Sequence, residues 1–99
     1  MAQPEARLSR QIMKALKERG AWCFKVHGSE YQPAGIPDIL GCYQGIMFGV
    51  ETKMPGNKPS EIQNYRMAQM QKAGAVVVVA YSVNDALAVI HQIEIIKEK

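Results

Sequence analysis

The chain has 99 residues, 47% of them hydrophobic, and carries a net charge of +3. This length predicts one domain over residues 1–99, with a core of modest size. No apolar run approaches the roughly 20 residues of a membrane span, and the N-terminus lacks the charged and apolar segments of a secretion signal. We therefore expect a cytoplasmic protein with no membrane partner. The small positive charge permits a nucleic-acid partner without requiring one.

The first predicted element is a helix over residues 5–19, because Leu8, Ile12 and Leu16 recur at helical spacing and a glycine follows at the cap. Glu5 falls on the same face as this apolar stripe. It could complement the helix dipole, but a carboxylate that points inward also favours a nearby cation. The basic side chains of the helix lie on the opposite face, where we expect a solvated surface: Arg7, Arg10, Lys14 and Lys17.

Three strands are predicted next, over residues 21–26, 38–43 and 46–53. A loop rich in Gly, Ser and Pro joins the first two strands, over residues 27–37. Gln44-Gly45 predicts a tight hairpin turn between the second and third strands. The hairpin implies antiparallel pairing.

The C-terminal part of the chain predicts a helix over residues 60–73, a strand over 75–81 and a helix over 84–96. The strand contains four consecutive valines, which is typical of a strand buried on both faces. The strand–helix–strand crossover that precedes it implies parallel pairing. The element order α-β-β-β-α-β-α thus predicts an α/β protein with a mixed four-stranded sheet flanked by helices.

Cys23 and Cys42 both lie in predicted strands. In a cytosolic chain we expect the two thiols to be reduced and packed. Together with His27 and His91 they lack the closely spaced ligand pairs of a zinc site, so no zinc is expected.

Charged residues mark the ends of the two hairpin strands. Asp38 begins one strand, and Glu51 and Lys53 end the other with their side chains on one face. Two converging carboxylates repel each other unless a proton or cation lies between them, and oxygen ligands favour Mg²⁺ or Mn²⁺. Glu51 and Lys53 could instead form a surface ion pair of small energetic value. The full set suits metal-assisted hydrolysis of a phosphodiester.

These elements and residues resemble the PD-(D/E)XK nuclease superfamily and, within it, the VRR-NUC group of virus-type replication–repair nuclease domains. The matching pieces run nearly end to end: Glu5, Gly35-Ile36-Pro37-Asp38, Gly49-Val50-Glu51-Thr52-Lys53, Ser60 with Gln63, and Ala73-Gly74 before the valine strand. The resemblance implies a restriction-endonuclease-like fold.

The resemblance also implies roles for the site residues. Asp38 and Glu51 resemble the metal-binding carboxylates, and Thr52 would lend its backbone carbonyl to the metal. Lys53 resembles the catalytic lysine, which either takes a proton from water or orients the water. Glu5 resembles an additional acidic residue. Gln63 resembles a glutamine that borders the catalytic site, although it also fits the capping box of Ser60.

The function implied is that of an Mg²⁺- or Mn²⁺-dependent endonuclease that cuts branched DNA, such as Holliday junctions, and leaves a 5′-phosphate. Stand-alone members of the group are expected to be homodimers, here of phage or viral origin and acting in DNA repair. Residues that flank the site are candidates for binding DNA phosphates or bases: Lys25, His27, Lys58 and Arg66. Two alternatives remain, a DNA-junction-binding module without activity and a small scaffold protein with a structural ion pair.

Overall fold

The computed structural model describes residues 4–99. Residues 1–3 lie outside the described residues. They are the start of the N-terminal segment in which no secretion signal was predicted. The described part contains seven elements: α1 (Pro4–Glu18), β1 (Trp22–Lys25), β2 (Ile39–Tyr43), β3 (Ile46–Thr52), α2 (Glu61–Lys72), β4 (Val76–Ala80) and α3 (Val83–Lys97). The predicted element order is confirmed, and each predicted end lies within one residue of the observed one.

The four strands form one mixed sheet in the order β1-β2-β3-β4. β1–β2 and β2–β3 are antiparallel, and β3–β4 is parallel, as the hairpin and the crossover predicted. Gln44 and Gly45 both have positive φ, at 50° and 83°. Two such residues match the twist of the flanking strands, which explains the tight turn. The register pairs Ile39 with Val50, so the start of β2 lies beside the end of β3.

The core lies between one face of the sheet and the helices α1 and α3. The predicted stripe of α1 packs there, with Ile12 and Leu16 buried and Leu8 partly buried. Buried residues of α3 and alternate strand residues such as Phe48 and Val50 complete the core. The four basic side chains of α1 are exposed on its outer face, as predicted. Within residues 4–99, no helix combines the length and the apolar character that a membrane span needs.

The second face of the sheet is only half covered. Helix α2 packs over β3 and β4, where the Met70 methyl group would lie 3.2 Å from a Cβ placed on Gly49. Five uncharged side chains on the β1–β2–β3 part of this face form what we call the open apolar face: Trp22, Phe24, Leu40, Cys42 and Met47. Trp22 is 66% exposed. The prediction that Cys42 is packed was wrong, because its side chain lies on this face.

Candidate active site

Residues from α1, β3 and α2, from the loop over residues 26–38, and Lys53 just after β3 line a single cleft of about 580 Å³ at the end of the sheet where β2 begins and β3 ends. Five residues predicted from the sequence lie in its wall: Glu5, Asp38, Glu51, Lys53 and Gln63. The hairpin register explains this convergence, since it places the start of β2 against the end of β3. Helix α1 adds Glu5 from its first turn, and α2 adds Gln63 from its first turn.

Asp38 is held by three hydrogen bonds. The backbone N–H of Thr52 donates to Oδ1 at 2.6 Å. The other oxygen, Oδ2, accepts from Lys25 Nζ at 2.8 Å and from Ser9 Oγ at 3.1 Å. Bonds to a backbone amide and to two side chains fix the orientation of this carboxylate before any ligand binds.

Ser9 is a site residue that the sequence analysis missed. It is 1% exposed and lies on α1, where it contacts both Lys25 and Asp38. Its signal was present in the sequence, because Ser9 follows Glu5 by four positions and therefore shares its inward face. A buried polar residue on an apolar helix face requires a partner, and here that partner is Asp38.

Glu51 is almost completely buried, with 4% of its surface exposed. Its carboxylate lies 3.6 Å from Lys53 Nζ and accepts a hydrogen bond from Gln63 Nε2 at 3.3 Å. Burial raises the pKa of Glu51 to about 7, and the negative charge of Asp38 adds to the rise, while Lys53 opposes it. Near neutral pH the Glu51 carboxyl is therefore partly protonated, and a cation could take the place of that proton.

Gln63 completes the capping box of α2 and also contacts Glu51. Its Oε1 accepts from the backbone N–H of Ser60 at 2.9 Å, and its own N–H donates to Ser60 Oγ, so the capping box is complete. Its Nε2 group remains free to donate to Glu51. The helix cap therefore orients the amide that contacts the carboxylate.

Thr52 contributes its backbone rather than its side chain. The side chain is fully buried and points into the core, and its Oγ1 has no hydrogen-bond partner among residues 4–99. A buried hydroxyl without a partner costs about 1–3 kcal/mol. The backbone N–H, in contrast, binds Asp38 and locks the end of β3 to the start of β2.

The loop over residues 26–38 forms one wall of the cleft. Its base is closed by a hydrogen bond of 2.7 Å from the Val26 N–H to the Asp38 carbonyl. Gly35 has a φ of +82°, and a Cβ there would lie 2.7 Å from the Ile62 carbonyl oxygen. Only glycine suits this position, because the loop backbone presses directly against the first turn of α2.

The four residues predicted to bind nucleic acid have different surroundings. Lys25 is engaged with Asp38. Arg66 braces the cleft loop, since its Nε donates to the Ala34 carbonyl at 2.8 Å and its Nη1 to Gln69. His27 and Lys58 are exposed and lie outside the cleft lining.

The donors in the cleft suit a hard cation. Asp38 and Glu51 supply carboxylate oxygens, and Glu5 lies close enough to add to the field on Glu51. Within residues 4–99, no group of three or more His, Cys, Asp or Glu side chains is arranged to hold a metal ion. Mg²⁺ commonly uses one or two carboxylates and completes its shell with waters and substrate phosphates, so this donor set fits it.

Comparisons with known proteins found similar solved structures but no similar sequence family. No family model matches the sequence, and no curated protein matches it. A solved structure described as a VRR_NUC domain matches with a TM-score of 0.75 and 26% identity over 91% of this chain and 97% of the other. The chain has the VRR-NUC fold. The resemblance predicted from the sequence is therefore confirmed.

Two further structures support the same fold. A VRR_NUC domain protein matches with a TM-score of 0.71 and 20% identity, over 93% of this chain and 88% of the other. The Holliday junction resolvase Hjc of Archaeoglobus fulgidus matches with a TM-score of 0.58 and 23% identity, over 76% of this chain and 65% of the resolvase. At these identities the two likenesses show the fold alone. The fold of this chain is therefore similar both to a second VRR_NUC domain protein and to a Holliday junction resolvase.

Proposed function

We propose that this protein is a divalent-metal-dependent endodeoxyribonuclease that hydrolyses phosphodiester bonds in branched DNA. The observation that carries the proposal is the convergence of Asp38, Glu51 and Lys53 in one cleft of a VRR-NUC fold. The raised pKa of Glu51 adds support, because a buried carboxylate beside a second one is typical of sites that bind a cation or move a proton.

In this mechanism Asp38 and Glu51 would hold Mg²⁺ or Mn²⁺, and Glu5 and the Thr52 carbonyl would be candidates for further oxygen ligands. When bound, the metal polarises the scissile phosphate and lowers the pKa of a water. Lys53, 3.6 Å from Glu51, orients the attacking water and balances the negative charge that develops on the phosphate. Gln63 keeps Glu51 in place, and Ser9 and the Thr52 N–H keep Asp38 in place.

The similarity to Hjc supports a branched substrate such as a four-way junction. His27 lies in sequence between the cleft-lining residues Val26 and Gly28, and Lys58 lies in the segment between Lys53 and Gln63. Both are exposed and are suited to contact the phosphates of such a substrate. We place this activity in the DNA repair of a phage or virus, within the host cytoplasm.

The direct test is a cleavage assay on a four-way junction, a flap and a plain duplex, each with Mn²⁺ or with EDTA. We expect cutting that requires Mn²⁺ and is about tenfold faster on the junction than on the duplex, a difference of about 1.4 kcal/mol in barrier. Lys53→Met, purified identically, is the control for contaminating nucleases.

Other outcomes identify the alternatives. Junction binding that is unchanged by Mn²⁺ and by Lys53→Met, with no cutting, would identify a binding module without activity. If the protein binds none of the three DNAs, even at low salt, it would be a scaffold protein. Cutting of all three substrates at equal rates would contradict selectivity for branches.

The protein is a homodimer in this proposal, and the open apolar face is where the second copy binds. Trp22 and Phe24 form an aromatic pair there, with ring centroids 5.5 Å apart, and Met47 is 46% exposed beside them. The five side chains of the face carry no charge, so they do not suit a phosphate backbone. An uncharged aromatic patch suits an identical patch related by a two-fold axis, which would pair two cutting centres.

We expect Trp22→Glu to convert the dimer into a monomer, because two buried carboxylates would face each other across the axis. Light scattering after size-exclusion chromatography gives the mass directly. Ile96→Glu is the control, because Ile96 is an exposed apolar residue on α3, away from this face. A dimer that survives Trp22→Glu, or one that only Ile96→Glu disrupts, would exclude the open apolar face as the interface.

A further inference from the structure

Asp38 is already neutralised by a side chain of the protein itself. Lys25 Nζ lies 2.8 Å from Asp38 Oδ2, and a hydrogen bond of 3.2 Å to Ser9 Oγ holds the ammonium in place. With the bonds from Ser9 and from the Thr52 N–H, Asp38 accepts from three donors. An ionised carboxylate has about four acceptor positions, so roughly one remains.

A divalent cation that binds Asp38 must therefore approach Lys25. The side chains of Lys25 and Asp38 are 32% and 17% exposed, so solvent screens the repulsion between ammonium and cation only in part. The two positive charges compete for the same carboxylate. The Thr52 N–H bond is made by the backbone of β3, so Asp38 keeps its place when Lys25 leaves.

We propose that Lys25 is a built-in counter-ion of the metal-free site, which a divalent cation displaces from Asp38, and that the displaced ammonium then binds a DNA phosphate. The inference rests on the proposed function, since it requires a cation and DNA in the cleft. Lys25 ends β1, and the residues that follow it, Val26 and Gly28, line the cleft. Its flexible four-carbon stem lets the ammonium move from Asp38 towards that wall.

In this arrangement a bound metal increases the affinity for DNA, and bound DNA increases the affinity for the metal. The metal releases Lys25 for the phosphate, and a phosphate that attracts Lys25 exposes Asp38 to the metal. By linkage the two effects have the same size. A purely structural ion pair between β1 and β2 would instead stay closed when the metal binds.

The first test measures Mn²⁺ binding by calorimetry for wild type, Lys25→Met, Lys25→Arg and Lys14→Met. Lys14→Met removes the same charge from the exposed face of α1, so it corrects for net charge. We expect Lys25→Met to bind Mn²⁺ about tenfold more tightly than Lys14→Met does, because the competing ammonium is gone. Lys25→Arg keeps the charge and should remain near wild type.

Equal Mn²⁺ affinities of Lys25→Met and Lys14→Met would overturn the counter-ion role while leaving the proposed nuclease intact. A wild-type protein that binds no Mn²⁺ would overturn both. The two failures are therefore distinguishable in one titration series.

A second measurement uses wild type alone and does not depend on a variant that folds. Lysines are acetylated briefly with and without saturating Mn²⁺, and modification of Lys25 is compared with that of Lys14 by mass spectrometry. We expect modification of Lys25 to rise severalfold with Mn²⁺ as the ammonium leaves Asp38, and to fall again when duplex DNA is added with Ca²⁺. Modification that Mn²⁺ does not change would overturn displacement, and a lack of protection by DNA would overturn the phosphate contact.

Discussion

Glu51→Gln is expected to stabilise the metal-free protein at pH 8 and at the same time to abolish DNA cleavage. The reason is the pKa of Glu51, which burial and Asp38 raise from 4.5 to about 7. In the unfolded chain the carboxyl ionises freely in water, but in the folded protein its ionised form is buried. The neutral amide avoids that penalty and keeps an oxygen that can accept from Gln63.

The sign of the pH dependence follows from this shift. Because the pKa is higher in the folded state, Glu51 contributes stability that is fully present below pH 4.5 and is lost as the pH rises through about 7. At 1.36 kcal/mol per pKa unit the loss has an upper bound of about 3 kcal/mol. Loss of the ion pair with Lys53 offsets part of it, so we expect a gain of about 1–2 kcal/mol for Glu51→Gln at pH 8, or about 4–16 °C in Tm.

Thermal denaturation at pH 5 and pH 8, with and without Mn²⁺, is the measurement. The gain should be small at pH 5, and Mn²⁺ should raise the Tm of wild type but not of Glu51→Gln. Glu61→Gln is the matched control, because it makes the same change at an exposed position in the first turn of α2. If Glu51→Gln is less stable than wild type at pH 8, Glu51 is a structural residue whose charge the fold needs.

Lys53→Met is expected to lower the cleavage rate at saturating DNA and Mn²⁺ by about 10²- to 10³-fold, the usual effect of removing a group that stabilises transition-state charge. Lys53 is well placed for this, since its side chain is 16% exposed and reaches Glu51 at the cleft wall. Methionine keeps the apolar stem of lysine and removes only the ammonium. Mn²⁺ binding should persist, because Lys53 is not a ligand.

Single-turnover cleavage and DNA binding in Ca²⁺ separate the two contributions. We expect DNA affinity to fall less than threefold, about 0.7 kcal/mol, because one charge among several phosphate contacts is lost. Lys97→Met, on the exposed last turn of α3, is the control for the change in net charge. A rate that falls equally in Lys53→Met and Lys97→Met would remove Lys53 from the chemistry and leave it a role in attracting DNA.

Much of the fold and part of the site could be predicted, because the signals are local. The turn at Gln44-Gly45 fixes the register of β2 and β3, and the register brings the residue before β2 towards the end of β3. Asp38 and Glu51 could therefore be assigned to one cleft by counting along the hairpin. Glu5 required only the helical period of α1. The roles of these residues in metal binding and catalysis stay predictions.

Other features of the site could not be predicted from neighbouring residues. The contact of the Lys25 ammonium with Asp38 was not predicted, and neither was Asp38 as the partner of Ser9, which lies 29 positions earlier. Cys42 was expected to be packed, but α2 packs over β3 and β4 and leaves the side chain of Cys42 exposed. Each outcome depends on which elements pack together and which strands they cover, and no local pattern encodes that.

The sequence by itself determined the order of the elements, the pairing of the hairpin strands and the identity of the carboxylates at their ends. Periodicity, capping and turn chemistry act over a few residues, so they can be read along the chain. The tertiary structure alone decided that Glu51 is buried with a pKa of about 7, that Lys25 forms an ion pair with Asp38 and that the open apolar face remains uncovered. Burial and charge pairing depend on which elements pack together, and they exist only once the chain has folded.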